Sequence, residues 1–285
     1  MRNRSTVDLA ALSEVVAEFN ARVTTDAFAP GFIEELYAPR DERNITRADR
    51  VFYTRENARR LDNYRRLIDE LPRDMQDLLL GPLLSEASVH ANTAGVFKGF
   101  YKNRHTGAGQ FGGTGSDALS RITAPIILEP PVLSASECEY EVLQEDANQA
   151  AHKVKDLDLA YVDPPYNQHP YGSNYFMLNL LVRYERPTHI SRVSGIPTDW
   201  RRSGYNVRKT AFPLLKNLLH TLDARFLLIS YNNEGFIRPD QMYALLHELG
   251  HLEVIEVPYN AFRGSRNFNN RSIHVTEYLF LVERR

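Results

Sequence analysis

Leu157-Asp158-Leu159-Ala160-Tyr161-Val162-Asp163-Pro164-Pro165-Tyr166 reads as a strand that runs straight into a rigid polar corner. Its first six residues are mostly apolar and bounded by a sharp stop, the pattern of a strand in the centre of a sheet. The stop is physical. Each proline lacks an N–H and fixes φ near about −65°, and the residue before a proline is pushed to extended backbone. Asp163 is thereby placed at the carboxyl end of a strand, which is where open α/β sheets bind ligands. The plain alternative is a turn after a strand, because Pro and Asp are ordinary turn residues.

Working outward, hydrophobic spacing predicts helices over 174–184, 211–222 and 239–250, and strands over 226–230, 252–257 and 275–282. On the other side a short helix is expected over 148–154. Short strands are expected at 126–128 and 140–143, separated by the turn-rich Glu129-Pro130-Pro131 and residues 134–137. Strands alternating with helices imply a mostly parallel sheet covered on both faces, with an antiparallel pair at the end. The first hundred residues are mainly helical by the same test. One helix spans 7–20, and another opens at the N-cap candidate Thr54 and runs to about Leu71, where Pro72 stops it. A third covers 75–102, which Gly81-Pro82 should kink or break. The expected division is an N-terminal helical segment (1–50), a helical region (51–136) and an α/β region (137–285).

With 43% hydrophobic and 25% charged residues among 285, the chain matches globular proteins, and disordered or fibrous classes are excluded. No stretch approaches the roughly 18 apolar residues of a membrane span, and Met1-Arg2-Asn3-Arg4-Ser5 leads into no signal core. A cytoplasmic location and no membrane partner are expected. The single cysteine, Cys138, excludes an internal disulfide and a multi-cysteine metal site; no metal is expected, and a packed core thiol is. A net charge of −2 does not advertise nucleic-acid binding, so any such contact must come from local basic patches.

The polar corner suggests a chemistry. A planar exocyclic amine is a poor nucleophile because its lone pair is delocalised into the ring. Two acceptors that hold its hydrogens can localise that pair, and the Asp163 side chain with the Pro164 carbonyl would form such a set. Tyr166 offers a ring face beside them. The motif and its surroundings resemble the Dam-type family of adenine-specific DNA methyltransferases. The likeness extends over Leu159-Ala160-Tyr161-Val162, Asn167, Tyr171-Gly172-Ser173-Asn174-Tyr175, Ile229 to Gly235, Ala87 to Tyr101 and Phe111-Gly112-Gly113. It covers most of the chain from about Phe52 onward.

That resemblance implies an α/β fold, a Rossmann-like methyltransferase sheet with a mainly helical target-recognition insertion. It implies site-specific methyl transfer from S-adenosylmethionine to the 6-amino group of adenine in double-stranded DNA, as in restriction-modification. Asp163, Pro164, Pro165 and Tyr166 would be catalytic. The adenine would be flipped out of the duplex, at a cost of about a few kcal/mol that stacking on Tyr166 helps offset. Asn232 and Asn233 would lie beside the base, although Ser230 to Asn233 also reads as an Asn- and Gly-rich turn. Asp146 and Ala147, with Asp163, would lie beside the cofactor, although Asp146 reads equally well as a helix N-cap.

A nucleotide-type cofactor ordinarily needs a glycine-rich turn after a strand, with an acid about 20 residues on. Phe111-Gly112-Gly113-Thr114-Gly115 has the glycines, but the polar stretch before it is no strand, so a loop near DNA is the competing reading. In the resembled family the glycine motif precedes the region with which this chain begins. The expectation is therefore a sheet incomplete at the N-terminus, either truncated or one half of a split enzyme with a separate N-terminal cofactor-binding chain or fragment as a partner. For DNA contacts, Lys98, Lys102 and Arg104 are interleaved with aromatics in Phe97 to His105. Tyr175 joins them through the resemblance, and Arg263 and Arg266 through a basic loop. The plain alternative for Phe97 to His105 is an amphipathic helix end with its aromatics in the core. Two further functions stay open: methylation of RNA adenine or a protein amide, and a nucleic-acid-binding subunit or inactive remnant.

Overall fold

The computed structural model describes residues 8–113, 118–136, 138–260 and 274–284. Its contacts divide the chain into two units, Met1–Tyr140 with Tyr171–Trp200, and Glu141–Pro170 with Arg201–Arg285. Tyr171–Trp200, expected in the α/β region, belongs to the first unit. No helix among the described residues is long and apolar enough to cross a membrane.

The first unit is helical. Helix α1 (Leu9–Thr25) starts where the Asp8 side chain accepts from the N–H groups of Ala10 and Ala11. Helix α2 (Phe32–Tyr37) was not foreseen. Helix α3 (Arg55–Asp69) begins at Thr54, whose side chain accepts from the Asn57 N–H, so the N-cap expectation holds. The apolar stripe Leu61, Tyr64, Leu67 and Ile68 of α3 is fully buried, and α3 packs against α1, α2 and α4. Helix α4 (Arg73–Val89) passes through Gly81-Pro82 without breaking. Gly81 faces solvent, while Leu79, Leu80 and Leu83 are buried; that burial offsets the hydrogen bond Pro82 cannot make. It ends earlier than expected, and residues 91–113 are irregular. Helix α5 (Leu119–Thr123) follows.

The strand expected at 126–128 is absent for an identifiable reason. Asn57 donates its side-chain amide to the carbonyls of Ile122 and Ala124 and accepts from the Ile126 N–H. Asn20 likewise donates to the Leu128 carbonyl and accepts from its N–H. The segment is extended, with Ile126 and Leu128 buried, but helix side chains satisfy its backbone in place of a neighbouring strand. The strand expected at 140–143 is also absent: Tyr140, Val142 and Leu143 are exposed and have no ladder. Cys138 is exposed, not a core thiol.

The second unit opens with α6 (Ala147–Ala150) and β1 (Leu157–Val162). Helices α7 (Tyr171–Asn174) and α8 (Phe176–Arg183) return to the first unit. Then come α9 (Arg208–Thr221), β2 (Ala224–Asn232), α10 (Pro239–Leu249), β3 (Gly250–Asn260) and β4 (His274–Arg284). The four strands form one sheet in the order β1-β2-β4-β3. β1 and β2 are parallel, and β4 runs antiparallel to both β2 and β3. The fold class is α/β as expected, consistent with a methyltransferase fold, but two corrections follow. The sheet is mixed rather than mostly parallel, and among the described residues β1 is an edge strand rather than a central one.

The register sorts the side chains by face. Ala160, Val162, Leu227, Ile229, Tyr231, Phe280 and Val282 are buried and share one core with Leu215, Leu218 and Leu219 of α9 and Met242, Leu245 and Leu246 of α10. The opposite face carries Leu159 (50% exposed), Tyr161 (60%), Ile255 (58%) and Val257 (50%). Phe226, Leu228, Leu279 and Leu281 lie half-buried between them. Among the described residues of this unit, α9 and α10 cover one face only, against the expected cover on both.

Candidate active site

The site forms where β1 and β2 end side by side. Asp163 is exposed at the tip of β1, and Pro164 behind it is buried, anchoring the corner. The Tyr166 carbonyl accepts from the Phe236 N–H at 2.8 Å and from the Tyr231 hydroxyl at 3.4 Å. These bonds tie the segment after the prolines to the loop after β2. The Tyr166 ring lies 4.9 Å from that of Tyr231, tilted by 57°, an aromatic contact of ordinary stabilising geometry. Asn206 Nδ2 donates to the Asn167 carbonyl at 2.8 Å.

The Tyr166 hydroxyl donates to Asp163 Oδ1 at 2.7 Å and lies 2.8 Å from Ser230 Oγ. Burial pushes the Tyr166 phenol well above its usual range, and the neighbouring carboxylates Asp163 and Glu277 push it the same way. Its proton stays on, so at neutral pH it is a donor to Asp163. Glu277, which pairs in register with Asn232, is itself held above the ordinary carboxylate range by burial. The charge of Asp163 adds to that, and the hydrogen bond from Asn232 opposes it.

The residues expected from the sequence fall into four groups. Asp163, Pro164, Pro165 and Tyr166 come together with the end of β2. Asn232 and Asn233 join them, but with structural partners: Asn232 Nδ2 donates to Glu277 Oε1 at 3.4 Å. The Asn233 N–H donates to the Thr276 carbonyl, and Asn233 Oδ1 accepts from the Thr276 N–H, which prolongs the β2–β4 ladder beyond its last pair. Asp146 caps α6, its side chain accepting from the N–H groups of Asn148 and Gln149, and Ala147 is exposed beside it. Lys98, Lys102, Arg104 and Tyr175 belong to the first unit. Arg263 and Arg266 lie outside the described residues.

Two of the aromatics of Phe97 to His105 are core, since Phe97 and Phe100 are buried and pack on Phe52, while Tyr101 is half-buried. Lys102 Nζ lies over the Phe100 ring at 5.1 Å, while Lys98 and Arg104 reach the surface. Interleaved spacing therefore reports a basic surface over an apolar floor, not an exposed stacking platform. Among the described residues of this unit, Tyr140, Tyr171 and Tyr175 have exposed rings, and the last two have centroids 6.0 Å apart. Ser230 and Glu277 escaped the site prediction. Ser230 carried a signal, lying at the end of a strong strand; Glu277 carried none, because only the β2–β4 register brings it to Asn232.

Of the glycine turn, Thr114 and Gly115 lie outside the described residues. Phe111 to Gly113 follow no named strand, and the Gly112 N–H donates to Asn92 Oδ1 within the helical unit, so this part offers no cradle for a cofactor. Asp146 spends its carboxylate on capping. Among the described residues, what fits the reacting end of a methyl donor is the exposed Asp163 carboxylate and the exposed residue Ala147.

The family model for D12 class N6 adenine-specific DNA methyltransferases matches residues 96–245, a span that includes the Asp163 corner and β2. The chain is 29% identical over 245 residues to the Type II methyltransferase M.NlaIII of Neisseria lactamica, covering 83% of this chain and 68% of that relative. It is 29% identical over 276 residues to the Type II methyltransferase M.CviAII of Paramecium bursaria Chlorella virus 1, covering 95% and 76%. Modification methylase StsI of Streptococcus sanguinis is 26% identical over 268 residues, 90% of this chain and 37% of that protein. No solved structure matches significantly. With an acidic corner at a strand end and a family match across more than half its length, the chain belongs to the D12 class of N6 adenine-specific DNA methyltransferases.

Proposed function

We propose that Asp163 and the Pro164 carbonyl hold the 6-amino group of a DNA adenine while it takes a methyl group from S-adenosylmethionine. The observation that carries this reading is the exposed Asp163 carboxylate at the end of β1, oriented by the Tyr166 hydroxyl. The amine's two hydrogens point at the carboxylate and the carbonyl, so its lone pair is released toward an electrophilic carbon, and the charge that grows on nitrogen is met by a fixed carboxylate. Pro165 keeps the corner rigid, and Tyr166 supplies a face for the extruded base. S-adenosylmethionine supplies the electrophilic methyl group when bound; Asp163 and the Ala147 backbone are assigned to its side of the site, with Asp146 holding Ala147 in place by capping α6. Lys98, Lys102, Arg104, Arg263 and Arg266 are assigned to phosphates, and Tyr175, Asn232 and Asn233 to the target strand.

Tritium transfer from labelled donor to DNA, compared with RNA, tests the reading. Transfer to DNA alone is expected, and Asp163→Ala should lower it by roughly a hundredfold or more. Retained activity in Asp163→Ala overturns the assignment.

A second reading, a subunit whose cofactor half comes from another polypeptide, is favoured by one observation. Among the described residues β1 pairs on one side only, with β2, and its Leu159 and Tyr161 are exposed. Equilibrium dialysis of the chain with labelled donor separates the two, since absence of binding supports the subunit reading.

A further inference from the structure

We infer that Ser230 is a positioning residue for the reaction, setting the Asp163 carboxylate through the hydroxyl of Tyr166. This rests on the assignment of Asp163 as acceptor of the adenine amine. Tyr166 Oη lies 2.7 Å from Asp163 Oδ1 and 2.8 Å from Ser230 Oγ. Distance leaves the direction of the second bond open, but proton counting decides it. A phenol has one hydrogen, and an ionised carboxylate has none. The bond to Asp163 uses the tyrosine's proton, so Ser230 donates its own to Tyr166 Oη.

The three groups form a directed chain from β2 to the corner after β1, in which each donation polarises the next. Two consequences follow. Asp163 Oδ1 is committed to the tyrosine, which fixes the carboxylate's torsion and leaves Oδ2 to accept a hydrogen from the amine. The Tyr166 ring is held at both ends, its backbone carbonyl by the Phe236 N–H and its hydroxyl by Ser230 and Asp163. The base-stacking face is thus set before substrate arrives, so ordering it costs nothing during the reaction. Besides Asp163, the charged group that acts on Tyr166 is Glu277 from β4.

The test uses the full chain labelled with 3-fluorotyrosine, the Tyr166 fluorine resonance being identified by its loss in Tyr166→Phe. The resonance is expected to be displaced in Asp163→Asn, which changes the acceptor of the phenol's proton, and to stay in place in Glu277→Gln. In Ser230→Ala it should be displaced as well, because the phenol oxygen loses a donor. Ser230→Thr, which keeps the hydroxyl on a strand-compatible side chain, should restore it.

In methyl transfer, Ser230→Ala and Tyr166→Phe should each lower kcat roughly tenfold, the scale of one charge-assisted hydrogen bond. KM for DNA should be little changed in Ser230→Ala, and the double variant should be no worse than Tyr166→Phe alone. A Tyr166 resonance indifferent to Ser230→Ala, or losses that multiply in the double variant, overturns the inference. Asp163→Ala separates this from the underlying reading. If it stays active, the reading fails; if it is inactive while Ser230 and Tyr166 act independently, only the relay fails. If transfer is below detection, the resonance arm alone decides.

Discussion

Asp62 is fully buried. Its carboxylate accepts from the N–H groups of Ile33 and Glu34, at the start of α2, and from the Tyr184 hydroxyl. Burial holds this carboxyl above its usual range, and the same three donors oppose that. Asp62→Ala should cost about 3 kcal/mol or more, because buried donors lose their acceptor. The pH dependence has a definite sign. A carboxyl whose folded-state pKa is raised keeps its proton where the unfolded chain has released it, so stability falls as pH rises through that folded-state value. Asp62→Asn cannot titrate, so urea denaturation across the acid range should show the wild type losing its advantage over Asp62→Asn as pH rises. A gap that stays constant with pH would contradict this. At this scale the sequence was legible where chemistry is local. Asp163 to Tyr166 announce themselves because prolines and an acid are contiguous, and Thr54 because a cap sits three residues from the N–H it serves. Asp62, Ser230 and Glu277 did not, since their partners are 28 to 122 residues away or are set by strand register. Phe97 and Phe100 misled, because alternating aromatic and basic residues describe a core floor as well as a binding surface.

At the scale of elements, helices with a continuous apolar stripe were readable, and short apolar runs were not. Residues 126–128 have strand composition, yet the Asn57 amide takes the place of a neighbouring strand by serving Ile122, Ala124 and Ile126 together. Asn57→Ala should therefore cost about 2–3 kcal/mol by urea or thermal unfolding, more than an exposed substitution on the same helix. A loss under about 0.5 kcal/mol, the scale of a neutral surface change, would show that water replaces the amide at no cost. The same ambiguity misplaced β1. A mostly apolar run suits a strand covered on both faces, but its burial alternates, with Ala160 and Val162 inside and Leu159 and Tyr161 outside. Composition does not say how many neighbours a strand has. α4 shows the opposite error, where a strong local breaker at Gly81-Pro82 is overridden by the burial of the leucines around it.

For the molecule as a whole, fold class followed from the alternation of elements, and the family from a corner of four residues with its surroundings. Neither the net charge of −2 nor the composition pointed to DNA. What the sequence could not convey is how the chain is partitioned, since Tyr171–Trp200 leaves the α/β unit and joins the helical one. That exchange depends on contacts far apart in sequence, such as the Arg65 guanidinium on the Leu181 carbonyl. The uncovered sheet face also bears on handling. A strand with one unbonded side is a template onto which a like strand can add, and greasy side chains next to it reward the addition. Light scattering of the purified chain should rise with concentration and time, and Tyr161→Lys should suppress it without lowering the unfolding midpoint. Scattering equal in the two proteins would mean that the rim of this sheet is not sticky, and that some other surface governs how long the protein survives in a test tube.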